Sequence, residues 1–477
     1  MRQSAPRSAA AFTALATAAV LLHGSSVGAA NATKTAAKKP NVILILADDL
    51  GWGELGAQGN KQIPTPNIDS IPANGVKFTQ GYVSGPYCSP TCAGLVTGRY
   101  QTRYGHEWNT TPAPDSGLPL EEKTIADRFR AAGYVTGVVG KWHLGNALKF
   151  RPSQRGFDEF YGTAANTPFF HPQLIDSRQS DDAVRVADDD FYTTDAYGKR
   201  AVEFIGEHKD EPFFLYLPFN AQHAPLQSPQ KYLARFPEIK DENRKHFAAV
   251  LSATDDAIGQ VLNALKTHDL EENTLVIYLA DNGGPTLGTT SSNLPLRGFK
   301  MTTLEGGIRV PFYAQWKGKI SAGQVYDNPI IQLDVVPTAL AAAGVAVDPA
   351  WELEGVNLLP YLTGENKEKP HQSLFWRLGE QWAVRNGDWK LVASKIDGPK
   401  PRLYDLSKDL GETNDLAAQH PDKVAELKAE WDAWNADNVP AKWAPPKNKQ
   451  RKNKNRPGNQ ARKQRGAAAA ATAAGGN

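Results

Sequence analysis

Cysteine is nearly absent from this chain, which has only Cys88 and Cys92 among 477 residues. Two cysteines four residues apart cannot form the disulfide framework of a small secreted domain, and no Cys/His cluster has the spacing of a zinc site. Apolar runs of bilayer length are lacking too, because the run over residues 9–22 is too short and no later one reaches that length. We therefore expect neither a disulfide scaffold, nor a zinc domain, nor a membrane span.

A strong excess of one charge is lacking as well, because 53 Lys/Arg stand against 51 Asp/Glu. Their distribution is uneven: residues 441–477 hold ten basic and no acidic residues, and residues 1–30 hold two arginines and no acid. The stretch 31–440 is therefore acidic, with 41 basic and 51 acidic residues, which argues against a nucleic-acid partner. The basic tail over 441–477 is predicted to be disordered, either simply solvated or as a tether to acidic polymers.

The N-terminal residues have the pattern of a secretory signal. Two arginines precede the apolar run 9–22, and small residues follow it. This pattern predicts a signal peptide over residues 1–30, removed near Ala29 or Ala30, and a linker over 31–40. A membrane anchor is the alternative interpretation of the same run. We expect an exported protein, located in the periplasm or outside the cell.

The body of the chain has the pattern of an α/β fold, because from residue 41 short apolar runs alternate with helical patterns. That alternation predicts a large α/β domain with a largely parallel sheet over residues 41–345. Its longest helix is predicted over 243–267, where apolar side chains recur at helical spacing. The candidate buried strands are Val42–Ala47, Val135–Val139, Phe213–Leu217, Leu275–Ala280 and Val310–Gln315.

The pattern changes near residue 345. Short runs of alternating apolar and polar residues between 373 and 406 predict a small antiparallel sheet, and a helix is predicted over Asp422–Ala436. We therefore expect a small C-terminal α+β subdomain over residues 346–440.

Two of the predicted strands end in acidic residues: Asp48 and Asp49 follow the first, and Asp281 and Asn282 follow the fourth. Because ligands bind beyond the carboxyl ends of strands in open α/β sheets, we expect these four side chains to converge. Three carboxylates and an amide oxygen suit a hard cation, Ca²⁺ or Mg²⁺, and would repel one another without it. The sequence therefore predicts a metal site at this edge of the sheet.

Cys88 lies where a helix is predicted to begin, because Pro90 is typical of a first helical turn. A helix N-terminus favours a thiolate or another anionic nucleophile. A small buried side chain, or a bond between Cys88 and Cys92, would explain the same pattern.

Histidine and lysine side chains follow other predicted strands, at Lys141, His143 and His223, and Lys300 comes shortly after the second acidic strand end. Taken alone, a histidine after a strand is more often structural. Together with a metal site at the same edge, the four side chains predict a pocket for a small tetrahedral anion.

Over nearly all of residues 40–440 the chain resembles the formylglycine-dependent (type I) sulfatases of the alkaline phosphatase superfamily. The motifs that carry this resemblance are Ala-Asp-Asp-Leu-Gly at 47–51, Cys-Ser-Pro-Thr at 88–91, Leu-Val-Thr-Gly-Arg at 95–99, Gly-Lys-Trp-His at 140–143 and Ala-Asp-Asn-Gly at 280–283. The resemblance implies an alkaline-phosphatase-like mixed, largely parallel sheet sandwiched by helices, a small C-terminal sheet, and hydrolysis of sulfate esters.

The resemblance also implies roles for the candidate residues. In the family a modifying enzyme oxidises the motif cysteine, here Cys88, to formylglycine, whose hydrate is the nucleophile. Lys141 and Lys300 match the sulfate-binding lysines, His143 the histidine that helps to regenerate the aldehyde, and His223 the acid that protonates the leaving oxygen. The family's calcium ligands, with Mg²⁺ the less favoured ion, correspond to Asp48, Asp49, Asp281, Asn282 and the modified residue 88.

One position departs from the family pattern Cys-x-Pro-x-Arg, because Cys92 occupies the arginine position. That arginine belongs to the signal read by the modifying enzyme, and it supports the modified side chain. Cysteine offers neither a fixed charge nor a fork of donors. The chain is therefore either an active variant of the family or a protein that folds and binds but catalyses poorly.

The substrate is predicted less directly. His106, shortly after the nucleophile helix, is the best candidate to contact a sugar at the mouth of the site, and the aperiodic segment 146–190 is a candidate specificity loop. Export together with aromatic and basic residues favours a sulfated carbohydrate. The alternatives are a phosphomonoester or phosphonate hydrolase of the same superfamily, and a non-catalytic binder of sulfated polymers.

Overall fold

The computed structural model describes residues 39–443. The signal peptide predicted over 1–30 lies outside these residues, as do most of the predicted linker and residues 444–477 of the basic tail. In the described part of the chain, none of the helices has the length and apolar character needed to cross a membrane.

The chain forms three sheets over the described residues, a large one, a two-stranded one and a four-stranded one. In chain order the strands are β1 (Asn41–Ala47), β2 (Val76–Phe78), β3 (Gly81–Tyr82), β4 (Val135–Lys141), β5 (Glu159–Thr163), β6 (Gln173–Asp176), β7 (Ser180–Arg185), β8 (Phe213–Pro218), β9 (Thr274–Ala280), β10 (Phe312–Gln315), β11 (Gln324–Tyr326), β12 (Ile330–Ile331), β13 (Ser373–Leu378), β14 (Gln381–Asn386), β15 (Trp389–Ser394) and β16 (Gly398–Asp405).

The α-helices are interspersed among these strands. They are α1 (Pro66–Ala73), α2 (Cys88–Thr97), α3 (Ile125–Ala131), α4 (Thr193–Glu207), α5 (Gln230–Leu233), α6 (Glu242–Thr267), α7 (Thr286–Thr289), α8 (Glu305–Ile308), α9 (Val335–Ala342), α10 (Leu359–Leu362) and α11 (Pro421–Ala436).

The large sheet has the strand order β11-β2-β10-β9-β1-β8-β4-β5-β6-β7. Its central strands β9, β1, β8, β4 and β5 are parallel, whereas β10 runs antiparallel to β9 and β2. Every residue of β1 is buried, as expected for a parallel strand covered by helices on both faces. The predicted α/β fold with a mixed, largely parallel sheet is confirmed.

The predicted strands agree with the structure to within two residues at each end. β10 begins at Phe312 rather than Val310, and the intervening Pro311 has no N–H to donate to a ladder. Segment 146–190 contains β5, β6 and β7, and β7 has no apolar periodicity because it is largely exposed. A buried face is what produces such periodicity in a strand.

The small sheet is antiparallel, in the order β13-β14-β15-β16, as predicted. Leu427, Trp431 and Trp434 of α11 belong to its own apolar cluster, which is distinct from the cluster around the large sheet. The boundaries proposed at 345/346 and 440/441 stay predictions. Residues 441–443, which we assigned to the tail, contact the segment that follows the nucleophile helix.

A buried ion cluster joins the small sheet to the segment before β10. Lys390 Nζ on β15 lies 2.8 Å from Glu305 Oε1 and 2.8 Å from Glu412 Oε1, and none of the three side chains is exposed. Burial raises the pKa of Glu412 to about 7. Burial has the same effect on Glu305, but Lys390 and Arg309 outweigh it and lower the pKa of Glu305 to about 2. Lys390 is therefore the central cation of the cluster.

Replacing Lys390 by methionine should cost about 3–5 kcal/mol of unfolding free energy, because two buried carboxyl groups lose their common cation. The folded pKa of Glu412 lies above its ordinary value, so its contribution to stability falls as pH rises towards about 7, and Lys390→Met should steepen that fall. Urea denaturation at several pH values measures both effects. Lys423→Met, at an exposed pair with Glu426 on α11, is the control and should leave the midpoint unchanged.

Candidate active site

The ends of β1 and β9 bring four acidic and amide side chains together. Ala47 is paired with Ala280, so the residues that follow leave the sheet side by side. Asp49 has a φ of 63°, and its N–H donates to Asp281 Oδ1 at 3.0 Å. One carboxylate oxygen each from Asp48, Asp49 and Asp281 lies within 4.8 Å of the others.

Two oxygen atoms at this edge have no partner among the residues that the structure describes. Asp48 Oδ1 and Asn282 Oδ1 are both buried without a hydrogen bond, which is costly unless a ligand satisfies them. The amide nitrogen of Asn282 donates to Asp49 Oδ1 at 2.8 Å, and this contact fixes which atom of the amide is left free. Three carboxylates and one amide oxygen form an all-oxygen donor set, so these residues fit a Ca²⁺ or Mg²⁺ ion.

Two buried lysines face the acidic side chains. Lys141, at the end of β4, contacts the carboxylate of Asp48, and Lys300 Nζ lies 2.6 Å from Asp49 Oδ1. Burial lowers the pKa of both lysines, but the neighbouring carboxylates outweigh it and raise both pKa values above normal. Both ammonium groups therefore stay charged. The residue before Lys141 in β4 must be Gly140, because a Cβ there would lie 1.9 Å from Pro218 O of the neighbouring strand β8.

Cys88 is the first residue of α2, and its side chain is fully buried. Lys300 Nζ lies 3.0 Å from Cys88 Sγ, and the N–H of the next residue, Met301, donates to Pro86 O at 2.7 Å. Burial raises the pKa of the Cys88 thiol well above its ordinary value, against the lowering effect of Lys300. The unmodified side chain is therefore a neutral thiol, and the helix N-terminus does not make it a thiolate.

Cys92 lies one turn further along α2. Both cysteines are free, so they do not form a disulfide in this structure. Tyr216 Oη lies 4.0 Å from Cys92 Sγ. Burial, followed by the negative charge of Asp281, raises the pKa of Cys92 to about 12. The Cys92 thiol is therefore neutral.

His223 projects its Nε2 into the site. Its Nδ1 lies 2.6 Å from Ala224 O, and a carbonyl oxygen only accepts, so Nδ1 carries a hydrogen. Nε2 lies 3.7 Å from Asp49 Oδ2 and 3.4 Å from Asn166 Nδ2. The side chain is 22% exposed, which leaves Nε2 accessible to a ligand.

His143 follows Lys141 by two residues and has a left-handed backbone, with φ of 57°. Its N–H donates to Ala164 O at 3.1 Å, and its carbonyl accepts from Ser89 Oγ at 2.7 Å. Burial lowers the pKa of His143 well below its ordinary value, so its imidazole is neutral.

The structure places His106 differently from our prediction. It is fully buried, and its Nε2 lies 2.6 Å from Ser89 Oγ. A side chain with no exposed surface cannot line the mouth, so the proposed sugar contact is corrected. The sequence assigned no role to Ser89, a residue of the motif at 88–91, or to Asn166 in the aperiodic segment 146–190, because neither residue type points to a particular chemistry there.

Comparison with known families agrees with this geometry. Residues 40–345 match the family model described as Sulfatase, and residues 299–434 match the model described as N-sulphoglucosamine sulphohydrolase, C-terminal. The chain belongs to the sulfatase family. The predicted family resemblance is confirmed, and this sulfatase is a sulfuric ester hydrolase.

Individual relatives cover most of this sulfatase. Arylsulfatase A of Homo sapiens is 33% identical over 453 residues, which cover 82% of this chain and 87% of that protein. N-acetylgalactosamine-6-sulfatase of Homo sapiens is 29% identical over 479 residues, which cover 86% of this chain and 91% of that protein. A crystal structure of Ps i-CgsB in complex with k-i-k-neocarrahexaose has a TM-score of 0.80 and 32% identity, and covers 85% of this chain and 95% of that one.

Replacing Asp281 by asparagine should lower Ca²⁺ affinity at least about tenfold, because the site loses one of three carboxylates. In EDTA the same variant should be at least as stable as the parent chain. Burial and then the charges of Asp48 and Asp49 raise the pKa of Asp281, so its charged form opposes folding without a cation.

Thermal unfolding in EDTA and in Ca²⁺ measures both effects, since a ligand that binds the folded state raises the midpoint. Asp256→Asn, at an exposed pair with Arg235, is the matched control and should keep the full calcium response. An unchanged response in Asp281→Asn would contradict the assignment of the metal site.

Proposed function

We propose that this protein is an exported sulfatase that hydrolyses sulfate esters of carbohydrates, with a formylglycine made from Cys88 and a bound calcium ion. The observation that carries this proposal is the position of Lys300, whose Nζ contacts both Cys88 Sγ and the carboxylate of Asp49. The ammonium group of Lys300 thereby links Cys88, the side chain to be modified, with the carboxylates that fit a metal ion.

Carbohydrate substrates are supported by the relatives. The human N-acetylgalactosamine-6-sulfatase is named for a sulfated N-acetylgalactosamine, and Ps i-CgsB was crystallised with k-i-k-neocarrahexaose. Both names refer to carbohydrates. The pattern of residues 1–30 supports export to the periplasm or the extracellular space.

The charged side chains of the site can bind a sulfate group and stabilise its charge. Lys141 and Lys300 hold two ammonium groups at the edge of the sheet where Cys88 begins α2. Donors fixed before the reaction act strongly there, because the site is buried and water does not screen it. When present, the formylglycine hydrate beside a cation held by Asp48, Asp49, Asp281 and Asn282 would supply the nucleophilic oxygen.

The two histidines suit opposite proton transfers. His223 anchors its Nδ1–H on Ala224 O, so Nε2 is the atom that can donate a proton to the leaving alcohol oxygen. Nε2 also lies 3.7 Å from Asp49 Oδ2. His143 is held neutral by burial, so it can accept a proton when the product sulfate leaves. His223 is therefore an acid that water can reach, and His143 is a buried base.

His223→Ala should lower the turnover of sugar sulfates at least about 100-fold, whereas an activated aryl sulfate should lose less than about tenfold. The reason is that only a poor leaving group needs a proton in the transition state. Sulfate release from both substrates measures the difference, and Cys88→Ala should abolish both activities.

Equal losses on the two substrates would show that His223 only positions the substrate. Aryl phosphate is the second control, because a phosphomonoesterase or phosphonate hydrolase of this superfamily remains the alternative function. Faster release of phosphate than of sulfate from matched aryl esters would favour that alternative. Binding of a sulfated polymer without any sulfate release would favour a non-catalytic binder.

Cys92 occupies the position of the motif arginine, so its effect on the modification of Cys88 can be measured. Trypsin cuts after Lys77 and Arg99, so residues 78–99 form one peptide whose mass distinguishes a Cys88 thiol from an aldehyde. We expect partial or no aldehyde in the unaltered chain. Cys92→Arg should raise the aldehyde fraction and the turnover per molecule, because it restores the charge and the donor fork.

Calcium binding should change little in Cys92→Arg, since the four acidic and amide ligands do not depend on the modification. Full aldehyde in the unaltered chain would show that Cys92 does not block the modifying enzyme. More aldehyde without more turnover would show that any impairment comes from elsewhere in the site.

A further inference from the structure

A line of three hydrogen-bonded groups runs from a buried histidine to the backbone of His143. His106 Nε2 lies 2.6 Å from Ser89 Oγ, and Ser89 Oγ lies 2.7 Å from His143 O. Ser89 and His106 have no exposed surface, and His143 is 4% exposed. Water therefore cannot readily replace any of these contacts.

The direction of each hydrogen bond follows from the chemistry of its atoms. The carbonyl of His143 only accepts, so the hydroxyl of Ser89 donates its one hydrogen to that carbonyl. His106 Nε2 must then be the donor to Ser89 Oγ. His106 Nδ1 is buried without a partner, so a hydrogen on that atom would be an unsatisfied donor. Both arguments assign the neutral Nε2–H tautomer to His106, and burial, which lowers its pKa to about 3, agrees.

The line of contacts ends at a backbone that needs support. His143 has a φ of 57°, in the left-handed region that residues with a Cβ rarely adopt. Its N–H is held by Ala164 O, and its carbonyl by Ser89 alone among the described contacts. Ser89 also follows Cys88 directly, and its own N–H donates to Asn109 Oδ1 at 3.0 Å. One hydroxyl therefore connects the start of α2 to the turn that carries His143.

The C-terminal end of the described chain covers His106. The ring of Trp443 meets the imidazole edge to face, with centroids 4.8 Å apart. Trp443 Nε1 donates to the carbonyls of Trp108 and Asn109, each at 3.0 Å, and Lys442 N–H donates to Gly105 O at 2.9 Å. These contacts hold Lys442 and Trp443 against segment 105–109, and the ring of Trp443 covers the His106 imidazole.

We propose that Ser89 and His106 are positioning residues that hold His143 in the orientation the reaction needs. This inference rests on the proposed role of His143 as a base. Neither side chain touches the reacting atoms. His106 keeps the hydroxyl of Ser89 aimed at the carbonyl of His143, and Ser89 fixes the strained backbone from which the imidazole projects.

The test measures turnover of an aryl sulfate per aldehyde-bearing molecule, so that any change in modification of Cys88 is divided out. Ser89→Ala and His106→Phe should each lower kcat by about 10- to 100-fold with KM within about twofold, because the base is misplaced while sulfate binding persists. His106→Gln can still donate an N–H and should recover much of the loss. Ser228→Ala removes a hydroxyl that lies 2.8 Å from another ring, His246 Nδ1, and should leave kcat unchanged.

A double-mutant cycle with His143→Ala separates this inference from the proposed function. If Ser89 acts through His143, Ser89→Ala should cause no further loss in the His143→Ala background. Full turnover of His143→Ala itself would refute the proposed base and, with it, this inference. A poorly active His143→Ala together with a fully active Ser89→Ala would refute the positioning role alone, as would losses that simply multiply.

Nitrogen NMR of ¹⁵N-histidine-labelled protein supplies a readout that does not depend on activity. Comparison with His106→Gln assigns the His106 signals. They should report a neutral ring with hydrogen on Nε2 at every pH at which the protein stays folded, and Ser89→Ala should shift them. Hydrogen on Nδ1, or a ring that becomes charged near neutral pH, would overturn the proposed hydrogen-bond direction and the inference.

Discussion

The site depends on offsetting the negative charge of three carboxylates that the ends of β1 and β9 bring close together. Asp48, Asp49 and Asp281 leave adjacent strand ends, and each is at most 2% exposed. Burial and then the charges of Asp48 and Asp49 raise the pKa of Asp281, whereas at Asp48 burial is outweighed by Lys141 and the pKa is lowered. Lys141 and Lys300 offset two of the three negative charges, and a divalent cation on the free oxygens would more than offset the third.

This balance also explains where Cys88 lies. Lys300 divides its contacts between Asp49 and Cys88, so the start of α2 is tied to the acidic edge. The unmodified thiol is neutral and fully buried, so a hydrated aldehyde would change both the polarity of residue 88 and its number of donors. Position 92 lies one turn further along α2, and the buried thiol there, whose pKa is raised by burial and then by Asp281, supplies no fixed charge.

The supporting structure surrounds this edge with contacts that are themselves buried. The Lys390 cluster joins the small sheet to the segment before β10. Trp443 packs edge to face against His106. Both sets of contacts use residues distant in sequence from Cys88, and the Lys390 cluster and His106 are buried, whereas Trp443 is half-buried. Rigid surroundings of this kind keep charged side chains within a few tenths of an ångström of a working geometry.

Much of the fold could be predicted from the sequence, because buried strands and amphipathic helices leave periodic apolar patterns. Strands β1, β4, β8 and β9 and the 26-residue α6 were found this way, and the small antiparallel sheet followed from its alternating runs. The pattern did not indicate β5 or β6, and it failed at β7, where exposure removes the signal, and at the start of β10, where Pro311 delays the ladder.

The sequence by itself determined which residues could carry the chemistry, because acidic strand ends and the motif around Cys88 are local features. Only the tertiary structure decided which atoms are free, charged or accessible. It left Asp48 Oδ1 and Asn282 Oδ1 without partners, and it moved His106 from the expected mouth to a buried position beside Ser89. Burial and hydrogen-bond partners come from segments far apart in the chain, so no local pattern records them.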